Sequence, residues 1–153
     1  MSRHGAEIDW RSDGAFAAGT YSRRHTISFD GGATLAGSSS PAVVPAPMSD
    51  PAAADPEELL IASAASCHML WFLDLARTAG FEIASYHDAA EGEMGRIGPS
   101  RIGIVRITLR PAIAFAGVGP DAAALDRLHH DAHERCFIAN TLNCEIVIEA
   151  PAR

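Results

Sequence analysis

An α+β fold, with a long central helix packed on a strongly curved and mainly antiparallel sheet, is what the sequence predicts. Three observations predict it. Residues 55–80 form a capped apolar stretch far too long for a strand, short alternating runs that end in turn residues lie on both sides of it, and a second helical stretch near 120–136 precedes one last alternating run.

Taken in order, residues 7–10 and 20–29 read as strands. The second ends at Asp30-Gly31-Gly32, turn chemistry that leads into a third short strand over 33–35, so the chain opens as an antiparallel meander. Residues 37–55 are rich in Ser, Ala and Pro, with prolines at 41, 45, 47 and 51, and read as a loop about 19 residues long; such a length inside a compact domain goes with function or a packed partner. The long helix follows. Asp55 is a ready N-cap, Pro56 suits the first helical position, Glu57 and Glu58 place negative charge where free N–H groups favour it, and Gly80 is a good C′ residue. Residues 83–94 and 101–115 read as two strands joined near 95–100, a second helix runs over 120–136, and 145–149 closes the sheet. With neither an internal repeat nor a composition break, 1–153 reads as one domain.

Charge and composition narrow the function classes. Twelve basic residues against 19 acidic ones give a net charge of −7, which disfavours nucleic acid or an anionic membrane as partner. All twelve are arginine, so Schiff-base chemistry and a Walker A lysine are excluded. No uncharged stretch reaches membrane-spanning length and the first ten residues lack a signal-peptide core, so the expected location is the cytoplasm, where three cysteines are more often reduced, catalytic or buried than paired.

The long helix carries a thiol at its centre, in Asp55-Pro56-Glu57-Glu58-Leu59-Leu60-Ile61-Ala62-Ser63-Ala64-Ala65-Ser66-Cys67-His68. Only methyl and hydroxymethyl side chains occupy 62–66, which leaves room around the sulfur. Cys136 stands 136 − 67 = 69 residues later, at the end of the second helix and before the closing strand. In both motifs and in the order of elements along nearly the whole chain, the sequence resembles the OsmC/Ohr family of hydroperoxide-reducing proteins. The resemblance implies an OsmC-like fold, an intertwined homodimer with its sites at the subunit interface, and thiol-peroxidase activity. Cys67 would attack an organic hydroperoxide, Cys136 would resolve the sulfenic acid, and a small dithiol or a lipoylated protein would reduce the disulfide. No cofactor is implied. The lining expected to favour organic hydroperoxides is Leu60, Met69, Leu70, Trp71 and Phe72.

A thiolate, not a thiol, is the nucleophile, so a cation should stand beside Cys67. The resemblance gives that role to an arginine held by the motif glutamate, here Glu57. The family's usual arginine precedes the Pro-Glu-Glu motif, but Gly37-Ser38-Ser39-Ser40-Pro41 contains none, and Arg23 or Arg24 must substitute, Arg23 being preferred. Ten residues of helix span about 15 Å, so Glu57 cannot touch Cys67 directly and the arginine must bridge them. Three rival readings remain, the first being a non-catalytic ligand-binding role for the same fold. His129, His130, His133 and Cys136, with Cys67 and His68, could supply nitrogen and sulfur ligands to zinc, although neither CxxC nor HExxH occurs and paired histidines on a charged helix more often form a solvated face. Alternatively, Cys67 with His133 or His68 could make a Cys-His hydrolase; His68 points about 100° away from its neighbour, which weakens it as direct partner. Cys144 reads as a packing residue.

Overall fold

The computed structural model describes residues 2–149. They form two compact units, one ending at Leu59 and the other beginning at Leu60. The α+β class holds, with two helices and eight strands among the described residues.

The first unit holds a three-stranded antiparallel meander, β1 (Ala6–Asp9), β2 (His25–Phe29) and β3 (Thr34–Gly37), in that spatial order. The Asp30-Gly31-Gly32 turn forms as predicted: Phe29 and Ala33 close it by backbone hydrogen bonding and Gly32 takes φ 88°, a conformation only glycine adopts cheaply. The predicted strand over 20–29 starts later, at His25. The N–H of Arg23 goes to the Met48 carbonyl and that of Ser22 to Asp13, so this stretch is tied to loops rather than to a neighbouring strand. The long Ser/Pro loop is stitched back onto β3, since Ser38 N–H donates to Ala54, Ala54 N–H donates to Ala36, and the buried Ser38 hydroxyl accepts from Asp50 N–H.

Helix α1 (Pro56–Thr78) begins with a reciprocal capping box: Asp55 Oδ1 accepts from Glu58 N–H at 2.8 Å and Glu58 Oε2 accepts from Asp55 N–H at 3.0 Å. It ends in a Schellman motif, with Phe81 N–H bonded to Ala76, Gly80 N–H bonded to Arg77, and Gly80 at φ 84°. By length and mean hydropathy, 1.6, α1 is apolar enough to cross a membrane, yet within the single chain its buried residues are Ala64, His68, Phe72 and Ala76, one stripe at a spacing of four.

In the second unit the two predicted long strands are each broken in two and exchanged between sheets. β4 (Ile83–Asp88) pairs with β7 (Pro111–Phe115), whereas β5 (Glu91–Gly98) pairs with β6 (Arg101–Leu109), both antiparallel. The break has an identifiable cause. Arg110 N–H turns aside to Asp88 Oδ1 at 2.7 Å and the next residue, Pro111, has no N–H to give a ladder. β8 (Glu145–Ile148) closes the β5–β6 sheet, running parallel to β6. Gly92 lets β5 pass α1, because a Cβ there would meet Ile61 Cδ1 at 2.6 Å. Helix α2 (Ala122–Arg135) is N-capped by Asp121, whose Oδ1 accepts from Ala124 N–H at 2.7 Å. Leu128 and Ala132 of α2 bury against Phe72 and Ala76 of α1 in one core cluster; Ala64, Ile107 and Leu109 anchor another.

Asp55→Ala removes one half of the capping box and should lower stability by about 1 kcal/mol in urea unfolding, with the m-value unchanged. A wild-type midpoint would show that the box contributes nothing.

Candidate active site

The outer face of α1 carries Ser63, Ser66, Cys67, Leu70, Trp71 and Asp74, opposite the buried stripe at 64, 68, 72 and 76. With Phe137 and Ile138, from the turn after α2, these residues line an open cleft of about 540 Å³. Its walls are apolar and exposed, Leu70 at 60% and Phe137 at 69%, and Trp71 meets Phe137 edge to face at 5.6 Å. Of the lining expected from sequence, Leu70 and Trp71 are present. Leu60, Met69 and Phe72 are not; Phe72 is fully buried because it falls on the inward stripe.

Cys67 is half-buried in this cleft, and Cys136, directly before the cleft residues Phe137 and Ile138 in the chain, is buried. Cys136 is the C-cap of α2, and the turn that follows folds back over its sulfur: Ala139 N–H donates to Cys136 Sγ at 3.3 Å and Asn140 N–H to its carbonyl at 3.0 Å. Cys67 lies beside the Cys136 thiol, close enough to oppose its ionisation. Burial first, and the neighbouring Cys67 after it, pushes Cys136 up to about 11, so at neutral pH it is a protonated thiol. Two cysteines separated by 69 positions in sequence thus stand side by side as free thiols.

The expected cations lie in the first unit. Arg24 is committed to an ion pair with Asp50. The Arg23 guanidinium lies flat over Tyr21, 3.6 Å from the ring centroid, and donates to the Tyr21 carbonyl; it lines a pocket with Ile8, Trp10, Phe16 and Tyr21. Both arginines precede β2 rather than lying on it, so strand alternation does not sort them; their partners do. Glu57 is half-buried in the first turn of α1, and no ion pair joins it to Arg23 among the described residues.

The histidines part company. His130 is exposed, but His129 is buried, against the expectation of a solvated face, because it shares the inward stripe of α2 with Leu125, Leu128 and Ala132. His68 is buried on the matching stripe of α1. Its Nε2 lies 3.2 Å from His129 Nδ1, with the rings nearly parallel at 7°, and Phe72 packs on His129 at 4.6 Å. This pair was missed in the sequence, yet the signal was there: each histidine occupies a core position of its helix's apolar period. Burial first, then the charges of His129 and His133, hold His68 down at about 4, and burial also lowers His129. Among the described residues no three His, Cys, Asp or Glu side chains are grouped to hold a metal ion.

The sequence profile of the OsmC-like protein family matches residues 49–150, which contain α1, both thiols and the closing strand. The chain belongs to the OsmC-like family. Its fold agrees over 99% of the chain, at a TM-score of 0.95 and 42% identity, with an OsmC-like protein of unknown function from Vibrio cholerae, all of which is covered. The organic hydroperoxide resistance protein OsmC of Legionella pneumophila shares the fold at 16% identity and a TM-score of 0.72, covering 99% of this chain and 98% of that one. An organic hydroperoxide resistance protein of Elizabethkingia anophelis does so at 17% and 0.74, covering 100% and 98%. No curated protein sequence matches the chain.

The buried histidine gives a signed pH dependence. His68 takes up its proton near pH 6.5 when unfolded but only near 4 when folded, so the stability it allows is complete above pH 6.5 and is lost as pH falls, reaching about 3 kcal/mol near pH 4. Urea titrations from pH 7 to 4 should show this slope, and His68→Gln should flatten it. Equal slopes in both proteins would place the acid sensitivity elsewhere.

Proposed function

We propose that the protein is a thiol-dependent peroxidase for organic hydroperoxides, with Cys67 as attacking and Cys136 as resolving thiol. The observation that carries this reading is that Cys67, in an apolar cleft on α1, stands beside the buried Cys136 at the end of α2. In the first step the Cys67 thiolate attacks the terminal oxygen of the hydroperoxide; the O–O bond breaks, Cys67 becomes a sulfenic acid, and the alkoxide leaves and takes a proton to become an alcohol. In the second, Cys136 loses its proton and its sulfur displaces hydroxide from the sulfenic acid, which leaves as water, giving a disulfide. The charge at Cys67 that opposed ionisation of Cys136 is then gone, while the Ala139 N–H that favours its thiolate remains. A dithiol, free or carried as lipoyl on a protein, returns both sulfurs to thiols and is itself oxidised to a disulfide.

The cleft walls, Leu70, Trp71 and Phe137, suit an alkyl or aryl group better than hydrogen peroxide. The thiol-activating guanidinium is assigned to Arg23, because Arg24 is already neutralised by Asp50, and Glu57 is assigned as its counter-ion. A homodimer is part of the proposal: α1 is largely apolar between its charged ends but buries one stripe in the single chain, and a second copy would cover exposed apolar residues such as Leu70. Three free cysteines suit a reducing compartment such as the cytoplasm. The relatives named for hydroperoxide resistance support the activity by analogy of fold.

With cumene hydroperoxide and dithiothreitol, the wild type should turn over repeatedly, Cys67→Ser should be inactive, and Cys136→Ser should complete one turnover with cumene hydroperoxide alone and then overoxidise. Multi-turnover activity in Cys67→Ser would overturn the assignment. Arg23→Met should slow the first oxidation by about tenfold or more and Arg24→Met should leave it nearly unchanged; no effect from Arg23→Met would remove that residue from the mechanism.

A further inference from the structure

The buried histidine pair lies between the two helices that carry the thiols. His68 directly follows Cys67 on α1, and His129 lies 136 − 129 = 7 residues, about two turns, before Cys136 on α2. Their Nε2–Nδ1 bond is a side-chain hydrogen bond joining α1 to α2 inside the core. The pair makes that one bond: His68 Nδ1 and His129 Nε2 are buried and have no protein partner. Two apolar residues would fill these positions without the desolvation cost, so polarity here has to be accounted for by what the bond fixes. An apolar contact between helices tolerates a small slide or rotation, whereas a single N–H···N bond of 3.2 Å does not.

We propose that His68 and His129 are positioning residues for the thiol couple, fixing the register of α1 against α2 so that Cys67 and Cys136 stay within bonding reach. The inference rests on reading the two cysteines as a redox couple, but not on which oxidant they meet. Neither histidine touches the substrate cleft; they act through the helices. Phe72, packed at a tilt on His129 and in contact with Tyr86 at 5.9 Å, holds the pair from the β4 side.

The test measures how well the protein presents its two thiols to each other. In a Cys144→Ala background, each variant is equilibrated with reduced and oxidised glutathione, and the Cys67–Cys136 disulfide is quantified after acid quench. In that exchange the two thiols give two electrons and two protons to oxidised glutathione, which leaves as two reduced molecules, and the midpoint gives an effective thiol concentration. His68→Leu and His129→Leu should lower that concentration by about tenfold or more. His68→Gln, whose amide reaches the Nε2 position, and His129→Asn, whose amide reaches the Nδ1 position, should restore it to within about twofold. Should the leucine variants not fold, His68→Asn keeps a polar group too short to reach His129 and should show the same loss. Wild-type values in the leucine or His68→Asn variants would overturn the proposal, and so would failure of His68→Gln and His129→Asn to rescue. A protein that shows this pattern yet reduces no hydroperoxide would disprove the peroxidase reading and leave the histidine clasp standing; the reverse result would do the opposite.

Discussion

The thiol pair depends on how the inner stripe of α1 packs against α2. Phe72 and Ala76 bury against Leu128 and Ala132, and His68 bonds His129 on the same side. Full burial of a side chain such as Phe72 is worth about 1.5–3 kcal/mol, so this contact far outweighs any exposed ion pair of the second unit, such as Arg110 with Glu91 and Glu149. Once α1 is seated, its opposite face turns the Cys67 row outward. The end of α2 then delivers Cys136 beside Cys67, with the turn after it folded over the sulfur. Chemistry on the outer face is therefore a consequence of packing on the inner one.

That division of α1 explains both what the sequence made legible and what it hid. Asp55, Glu58 and Gly80 announce the ends of α1 because caps are local chemistry, written in adjacent residues and read without knowing the fold. Cys67 and Cys136 were legible through their place in a motif, and the family profile bears out that membership. The breaks between β4 and β5 and between β6 and β7 were not, because Ile83 to Gly98 alternates without a turn signal. The decisive event is the long-range bond between Arg110 and Asp88, with Pro111 beside it. His68 and His129 each sit at a core position of their own helix's apolar period, a signal of burial, but only the meeting of the two stripes makes them a pair.

The cation is where sequence pattern and structure give different kinds of information. Tyr21-Ser22-Arg23-Arg24 offers two guanidiniums that the sequence cannot rank physically, since alternation presumes a strand and β2 starts only at His25. Partners rank them. Arg24 is neutralised by Asp50, and Arg23 is stacked on Tyr21 in an aromatic pocket, away from any carboxylate at ion-pair distance among the described residues. In the proposed mechanism, the guanidinium not already held by an aspartate is the one left for Glu57 and the Cys67 sulfur.

The central claim is that Cys67 and Cys136, and not Cys144, form the reactive couple. The most direct measurement is tandem mass spectrometry of the non-reduced, doubly digested protein after one equivalent of cumene hydroperoxide, with free thiols blocked at quench. The account predicts a single cross-link between the peptides of Cys67 and Cys136, with Cys144 blocked as a free thiol. A cross-link through Cys144, or blocked free thiol at Cys67 after the peroxide is consumed, would contradict it.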